Sequence, residues 1–375
     1  MIASETEKLD GLIGLLEAAG HVMTDCPVLV PAETVLDLVG PLTRGRLYLT
    51  AGIGGREFCL RPEFTIAIAQ AHITSGPPAR LAGYGYCGPV FRKRATGTGE
   101  FLQAGAESIG RTDTNAADAD MVVLAWKACR NFDVRPETIF GDQAIFTAVL
   151  NALDLPTVWH RRLLAAFGDR RRLDRALAEL ESGGGEAGNG DARNRFAGLA
   201  GLDSGTAATI VEEMIGATEM STIAGRHVED ISKRLLDKAR LNDQAERMPD
   251  KAKTIRNYLE IDCAIAEVEN RIAKFSSTHG MDLAEEMTAF TRRCALIESA
   301  GESFGQARFQ ASFGRPLDYY TGFIFDIFDA GHDRMGPVCG GGRYDGLAER
   351  LGASEPVPAV GFSLWLDRLL GEDRA

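Results

Sequence analysis

Residues 81–110 read LAGYGYCGPVFRKRATGTGEFLQAGAESIG, and this stretch gives the clearest indication of the fold. Two runs with strand character, 81–94 and 101–110, lie on either side of the Gly-rich segment ATGTGE. A connection of this kind favours antiparallel pairing of the two strands that flank it. The stretch therefore predicts a β-hairpin with a long, mobile tip at 95–100.

The same stretch contains GYGYCG at 83–88, which matches the glycine spacing of a dinucleotide-binding turn. That mechanism requires a helix N-terminus directly after the turn. Pro89 and the strand-type run VFR follow here instead, and the chain contains no GKS or GKT sequence for a P-loop. Both of these phosphate-binding motifs are therefore excluded.

The segments around the hairpin are short and of both types. Helices are predicted at 4–19, with Ser4 as the N-cap, at 66–75 and at 116–130. Short strands separated by Pro and Gly are predicted within 21–66. The N-terminal part of the chain is thus a mixture of strands and helices.

The predicted secondary structure then changes twice along the chain. A helical, strongly charged region contains a flexible Gly-rich loop at 182–191. Strand signals return after Gly301 in ARFQASF and FIFDIFD, followed by a Gly-rich connection at 340–342 and a closing helix at 362–370.

Strands that are far apart in sequence can share one sheet. The order of elements therefore predicts an α+β fold in which one mostly antiparallel sheet is flanked by helices. Residues 1–150 and 301–375 would form this domain, and residues 151–300 would form a largely helical insertion.

Composition limits the possible functions. The 375 residues carry a formal net charge of −12, which argues against a surface built to bind nucleic-acid phosphates. Seven scattered cysteines and six dispersed histidines form no metal-ligand motif, and the odd cysteine count suits a reducing compartment. The acidic N-terminus is not a signal peptide, and no apolar run approaches the roughly 20 residues of a membrane span. We expect a cytoplasmic protein with no metal, cofactor, nucleic acid or membrane partner.

The segment LRPEFT at 60–65 has two interpretations. In the structural one, Thr65 caps the following helix and Glu63 favours its N-terminus. In the functional one, the carboxylate and hydroxyl accept hydrogen bonds from a ligand ammonium group. This stretch by itself favours the structural interpretation.

Alternation in EFLQAGAESIG places Gln103 and Glu107 on one face of a strand, with Gly105 between them. If that face is buried, each polar group without a partner costs about 1–3 kcal/mol. A polar ligand would satisfy these groups, and so would solvent if the face is exposed.

Two further segments carry residues suited to ligand binding. FGRPLDYYTG contains Arg315, Tyr319 and Tyr320. The Arg315 guanidinium can bind a carboxylate with two parallel hydrogen bonds, and each tyrosine offers an apolar ring with a polar hydroxyl. CGGGRYDGL contains Gly340 and Gly341 in a run of three glycines, which lets a ligand approach the backbone closely. Together with the acids and the amide, this inventory suits an amino acid, although a tight turn would also explain the glycines.

These blocks resemble class II histidyl-tRNA synthetase. LRPEFT, GPVFR, FLQAGAES, RPLDYYTGFIF, VCGGGRYDGL and AVGFSLWLDRLL occur in the order of that family's blocks and cover roughly residues 5–130 and 305–370. The resemblance implies a class II synthetase-like sheet, and a homodimer through a region that corresponds loosely to residues 20–50.

The sequence departs from that family where the synthetase binds ATP. The changed positions are Arg94 for glutamate, Gly99 for an arginine, Trp365 for glycine and Asp367 for glutamate. An indole at 365 could fill an adenine pocket, although plain helix packing would also explain it. The sequence ends at Ala375, so the anticodon-binding domain is expected to be missing. This pattern resembles the ATP phosphoribosyltransferase regulatory subunits, a family related to the synthetase.

That second resemblance implies a non-catalytic subunit that binds a short-form catalytic subunit in histidine biosynthesis and confers feedback inhibition by histidine. It assigns the ligand ammonium to Glu63, Thr65 and Gln103, and the imidazole to Glu107 and Tyr320 beside Tyr319. It assigns the carboxylate to Arg315, or less directly to Arg92, with the glycines as the floor. The full set of implied histidine-binding residues is Glu63, Thr65, Arg92, Gln103, Glu107, Arg315, Tyr319, Tyr320, Gly340 and Gly341.

Two alternatives stay open at this level. The chain could activate histidine for transfer to an acceptor other than tRNA, or it could be a histidine-binding protein without a catalytic partner. ATP–pyrophosphate exchange distinguishes the first alternative, and association with a short-form catalytic subunit distinguishes the second.

Overall fold

The computed structural model describes residues 4–36, 38, 44–94, 98–183, 206, 209, 247–315, 319–331 and 336–371. The chain forms two compact units, Met1–Val149 with Tyr258–Ala375, and Leu150–Asn257. Most of the Gly-rich loop predicted at 182–191, and residues 95–97 of the hairpin tip predicted at 95–100, lie outside the described residues.

The described strands, numbered along the chain, are β1 (Val22–Met23), β2 (Leu29–Pro31), β3 (Leu49–Ala51), β4 (Glu57–Leu60), β5 (Ala82–Phe91), β6 (Glu100–Ile109), β7 (Pro136–Asp142), β8 (Asp262–Ala264), β9 (Arg308–Gln310), β10 (Phe323–Asp329), β11 (Cys339–Arg343) and β12 (Ala359–Trp365).

The described α-helices are α1 (Glu5–Ala18), α2 (Ala32–Leu36), α3 (Thr65–Thr74), α4 (Thr114–Arg130), α5 (Gln143–Ala152), α6 (Thr157–Ala166), α7 (Arg170–Ser182), α8 (Pro249–Leu259), α9 (Val268–His279), α10 (Ala284–Ser299), α11 (Leu347–Arg350) and α12 (Leu366–Leu370). Within this part of the chain, none is both long and apolar enough to cross a bilayer.

The predicted hairpin is confirmed. β5 and β6 pair antiparallel from Ala82 opposite Ile109 to Phe91 opposite Glu100. The two strands lie inside a nine-stranded sheet of order β1-β5-β6-β12-β11-β10-β7-β9-β8. Only β1 with β5 and β7 with β9 pair in parallel. A mostly antiparallel sheet built from strands far apart in sequence is therefore what the chain forms, and β2, β4 and β3 form a separate small sheet.

The N-terminal helix also follows the prediction. Ser4 caps α1 through a capping box, in which its hydroxyl accepts from the Glu7 N–H and the Glu7 carboxylate accepts from the Ser4 N–H. These two bonds satisfy N–H groups that a helix start leaves unpaired. Leu12 and Leu16 are buried on the inner face of the helix.

One predicted element is wrong and a second is wrong in part. The Gly-rich connection at 340–342 belongs to strand β11, and the first four residues of the helix predicted at 362–370 belong to strand β12, which pairs with β11 and β6. Helix α12 begins only at Leu366. A strand that is buried on both faces shows no alternation of polar and apolar residues. Periodicity therefore does not show whether an apolar segment such as AVGFSLW is a strand or part of a helix.

Residues 258–300, which the sequence assigned to the helical insertion, contribute to the large sheet and its cover. Their strand β8 pairs with β9 at the sheet edge. Helix α10 packs on α4, and its Arg293 reaches Asp118 of α4 with an N–O distance of 3.0 Å.

The second unit contains helices α6 and α7, which pack on each other. Trp159 and Leu163 of α6 and Leu177 and Leu180 of α7 are fully buried. Arg162 on α6 forms an ion pair with Glu179 on α7. Both helices are therefore amphipathic, with their charged residues on the outer faces.

Candidate functional site

Glycines cluster on one face of the central sheet. The strand register places Gly88, Gly105, Gly340, Gly342 and Gly361 on the same face of four adjacent strands, β5, β6, β12 and β11, because directly opposed residues share a face. Gln103 and Glu107 rise from that face of β6. The glycines leave room above the strands for the side chains that cover this region.

Glu107 occupies the centre of the face and is almost fully buried. Thr65 donates a hydrogen bond of 2.7 Å to its Oε1 atom, and Tyr344 donates to Oε2. Burial raises the pKa of Glu107 to about 8, while the bonds from Tyr344 and Thr65 act in the opposite direction. A Cβ at Gly361 would overlap Oε2, so only glycine lets the carboxyl lie against β12.

Thr65 does not act as the helix cap that its position suggested. Helix α3 begins at Thr65, and the preceding Phe64 makes no side-chain capping bond. The Thr65 hydroxyl instead points to Glu107 on β6, 42 residues further along the chain. The structural interpretation of this segment is therefore wrong for Thr65.

Glu63 lies beside the two tyrosines. Its Oε1 atom accepts a hydrogen bond of 2.9 Å from the Tyr319 hydroxyl. Burial raises the pKa of Glu63, whereas the positive charge of Arg92 opposes this shift. The Tyr319 and Tyr320 rings pack together with their centres 5.1 Å apart. This corner thus combines a buried carboxyl, two aromatic walls and an arginine.

Arg315 lies over the strand floor at the other side of Tyr320. Its Nη1 atom forms an ion pair with Asp326 of β10, and its guanidinium lies 5.8 Å from the Tyr320 ring centre. A Cβ at Gly340 would overlap both members of that ion pair. A guanidinium has five N–H donors, so the bond to Asp326 leaves others that can reach a carboxylate.

Among the ten residues that the sequence singled out, two have a buried polar atom without a hydrogen-bond partner in the described structure. These atoms are the acceptor Oε1 of Gln103 and the donor Nε of Arg92. A buried polar atom without a partner costs about 1–3 kcal/mol. The site therefore holds one unmatched acceptor and one unmatched donor, which is the complement of a zwitterionic ligand.

Two of the positions that depart from the synthetase pattern, Arg94 and Asp367, contact each other. Arg94 donates a hydrogen bond of 2.8 Å to Asp367, and its guanidinium stacks 3.8 Å from the Phe101 ring centre. Trp365 lies next to Arg315 and Arg368, whose guanidinium carbons are 5.5 and 4.9 Å from the indole.

A buried ion network supports the back of the site. Asp118 accepts from Arg293 at 3.0 Å and from Arg343 at 2.8 Å, and Asp142 accepts from Arg293 at 3.3 Å. Arg343 immediately precedes Tyr344, whose hydroxyl bonds to Glu107. The network therefore fixes the backbone that carries one of the groups on Glu107.

The structure brings together nine of the ten residues that the sequence singled out, and it places Gly341 apart from them. Alternation along β11 turns Gly341 to the opposite face, where a Cβ would meet Phe325 and Phe362. Sequence reasoning missed Asp326, Tyr344, Gly361 and also Tyr86, whose hydroxyl donates to Glu107 Oε1 at 3.4 Å. Tyr344 lies in the quoted GGGRYDGL block, but its contact with Glu107 follows only from strand register.

No group of three or more His, Cys, Asp or Glu side chains in the described ranges is arranged to hold a metal ion. The chemistry of the site comes from carboxyl, amide, hydroxyl and guanidinium groups. These groups can bind and orient a small zwitterion with a polar side chain.

Comparison with known proteins gives a consistent result. A family model described as histidyl-tRNA synthetase matches residues 3–205 and 205–369. The ATP phosphoribosyltransferase regulatory subunit of Sinorhizobium medicae is 40% identical over 364 residues, which cover 96% of this chain and 95% of that protein. The regulatory subunit of Brucella anthropi is 38% identical over 98% of this chain and 97% of its own length.

Solved structures share the fold. An ATP phosphoribosyltransferase regulatory subunit/histidyl-tRNA synthetase from Bacillus halodurans matches with a TM-score of 0.62 and 19% identity, over 99% of this chain and 79% of that one. Histidyl-tRNA synthetase from Nostoc sp. PCC 7120 matches with a TM-score of 0.62 and 16% identity, over 98% of this chain and 71% of that one. The class II synthetase-like fold expected from the sequence is thereby confirmed.

Proposed function

Since this chain belongs to the histidyl-tRNA synthetase family and, within it, to the ATP phosphoribosyltransferase regulatory subunits, we propose that it senses free histidine for a short-form catalytic subunit. In this proposal the chain is not itself an enzyme. It acts in the cytoplasm as a homodimer within a hetero-oligomer and transmits feedback inhibition.

The observation that carries the proposal is the pair of unmatched buried atoms. The Gln103 acceptor, together with the Glu63 carboxyl and the Thr65 hydroxyl, suits an ammonium group. The unmatched Arg92 donor and the remaining N–H groups of Arg315 suit a carboxylate. Binding a free amino acid would satisfy both sets of atoms at once.

Selectivity for histidine would come from Glu107 and Tyr320. A carboxyl group with a pKa of about 8 can accept a hydrogen bond from an imidazole N–H when ionised and donate one when protonated. Burial raises the pKa of Tyr320, while the charge of Arg315 lowers it and the charge of Glu107 raises it further, so the phenol stays protonated and can donate a hydrogen bond. An aliphatic side chain would offer Glu107 and Tyr320 neither a hydrogen-bond donor nor an acceptor.

The contacts at the synthetase-like nucleotide positions support a role without ATP. Arg94 and Asp367 form an ion pair, and the Asp367 side chain is largely buried. A nucleotide would have to break this ion pair and displace Trp365 to occupy the same space. Leaving one member of a buried pair uncompensated costs about 3–5 kcal/mol.

Feedback inhibition requires linkage. Histidine can inhibit only if it binds one state of the complex more tightly than another, and couplings of this kind are typically about 1–3 kcal/mol. The proposed moving element is the Tyr319–Tyr320 segment, which would border the ligand, or the loop predicted at 95–100, part of which lies outside the described residues.

The test is calorimetric titration of histidine into the wild type and the Gln103→Leu variant. Because Gln103 Oε1 bonds to no described group, the substitution should leave thermal stability unchanged or higher. Histidine affinity should fall about tenfold or more, which corresponds to about 1.4 kcal/mol. Gln306→Leu, at an exposed position, is the matched control and should bind like the wild type.

Unchanged histidine affinity in Gln103→Leu would show that the ligand binds elsewhere. ATP–pyrophosphate exchange with histidine is measured in parallel. Robust exchange by the wild type would show that the chain is a histidine-activating enzyme and would contradict the sensor proposal.

A further inference from the structure

Helix α7 carries a compact cationic surface. Arg171, Arg172 and Arg175 are exposed and lie opposite the buried face formed by Leu173 and Leu177. None of the three forms an ion pair with another described residue, and Arg170 beside them reaches Asp174 only at 3.9 Å. Arg170, Arg171, Arg172 and Arg175 are called the arginine patch below.

The position of the arginine patch is unfavourable for the stability of helix α7. Three consecutive arginines occupy the first turn, where the helix dipole favours acidic residues, and the acidic group at this end is the N-cap Asp169, whose carboxylate accepts from the Arg172 backbone N–H at 3.1 Å. Arg171 and Arg175 are also four residues apart, a spacing at which like charges repel each other. Asp169 offsets the helix dipole but forms no ion pair with Arg171, Arg172 or Arg175 among the described residues, and arrangements that local rules disfavour are expected at functional sites.

The acidic end of the same helix gives an internal contrast. Glu179 and Glu181, in the last turn, are also placed against the dipole, but each is paired within the unit. Glu179 pairs with Arg162, and Glu181 pairs with Arg256 at 2.9 Å. The helix thus satisfies its carboxylates internally and leaves its N-terminal arginines facing outward.

We propose that the arginine patch docks an acidic surface of the catalytic subunit. This inference rests on the proposed function and adds the surface through which it acts. The partner would present several carboxylates within about one helical turn, because Arg171 and Arg175 are neighbours at 5–6 Å between Cβ atoms in a regular helix. Arginine suits this role since its planar fork binds carboxylates with two parallel bonds.

A folded protein partner fits better than a nucleic acid. The patch is small, whereas the chain as a whole carries a charge of −12 and would repel a long polyanion around it. Helix α7 also has no aromatic residue on which a base could stack.

The experiment measures association of the full-length chain with its short-form catalytic subunit at increasing ionic strength. The triple variant R171E/R172E/R175E should lose at least about tenfold in association rate at low salt. The difference in association rate between the wild type and the triple variant should narrow as the Debye length falls from about 30 Å at 0.01 M to about 3 Å at 1 M salt. Because glutamates favour a helix N-terminus, the variant should unfold no earlier than the wild type.

The control variant R271E/K274E/R292E changes the net charge equally, at exposed positions of α9 and α10. It should associate within about twofold of the wild type. Equal rates for the wild type and the patch variant, or equal losses in both variants, would overturn the patch assignment alone. Failure of the wild type to bind the catalytic subunit would overturn the proposed function as well. Binding of a short RNA duplex that only the patch variant loses, with subunit binding intact, would reassign the patch to nucleic acid.

Discussion

Glu107→Gln should change how stability depends on pH. In the folded protein the pKa of Glu107 is raised from 4.5 to about 8, chiefly by burial. The folded state therefore holds the proton more tightly than the unfolded state. The stability that this group contributes is fully present below pH 4.5 and is lost as the pH rises toward 8.

The size of the effect follows from linkage. Between the two pKa values, one proton of difference changes the free energy of unfolding by at most about 1.4 kcal/mol per pH unit. Glutamine keeps the shape of the side chain and does not ionise. Its amide replaces one acceptor beside Thr65 or Tyr344, a cost of about 0.5–1.5 kcal/mol that does not depend on pH.

The assay is urea unfolding of the ligand-free wild type and Glu107→Gln at several pH values from about 5 to about 8. The difference in the free energy of unfolding should shift in favour of the variant as the pH rises. Glu269→Gln, at an exposed position, is the control, and its free energy of unfolding should depend on pH in the same way as that of the wild type. Parallel pH profiles for the wild type and Glu107→Gln would refute the raised pKa and the burial argument behind it.

Two further substitutions test the floor of the site and its support. Gly340→Ala should displace Arg315, lower the free energy of unfolding by about 1–3 kcal/mol and abolish histidine binding. The control is Gly346→Ala, whose Cβ would meet its nearest atom at 3.6 Å. Unfolding and calorimetric measurements should show the stability and the histidine affinity of this control unchanged. Arg293→Met should lower the free energy of unfolding by about 3–5 kcal/mol, because it leaves the Asp142 carboxylate buried without its partner. A loss below about 1 kcal/mol in denaturant unfolding would show that this ion network does not support the site.

Much of the fold was predictable from local signals. The hairpin of β5 and β6, the capped helix α1 and the antiparallel sheet follow from alternation, glycine placement and a capping residue. Strand β12 was not, because a segment buried on both faces carries no alternation to separate strand from helix.

The site was predictable as a set of residue types but not as contacts. Arg315 was recognised as a carboxylate-binding group, yet its pairing with Asp326 depends on how β10 and β11 align. The Thr65 hydroxyl had a local explanation as a cap, and a contact with a strand 42 residues away replaced it. Register between distant strands is a property of the whole sheet, so short motifs do not contain it.

The pair formed by Arg94 and Asp367 shows what the structure adds to a list of changed positions. Each change, taken alone, removes a group from a synthetase-like nucleotide site. Their 2.8 Å contact joins the two changes, and it explains why a basic residue can lie at position 94 without an unpaired charge.

The most direct test of a histidine sensor is reconstitution. This chain is added to its short-form catalytic subunit, and formation of the phosphoribosyl-ATP product is followed as histidine is titrated. We predict that activity requires the chain, that histidine inhibits it, and that a complex made with Gln103→Leu stays active but needs about tenfold or more histidine for the same inhibition. Full activity of the catalytic subunit without this chain, or identical histidine titrations for the wild type and Gln103→Leu, would contradict the account.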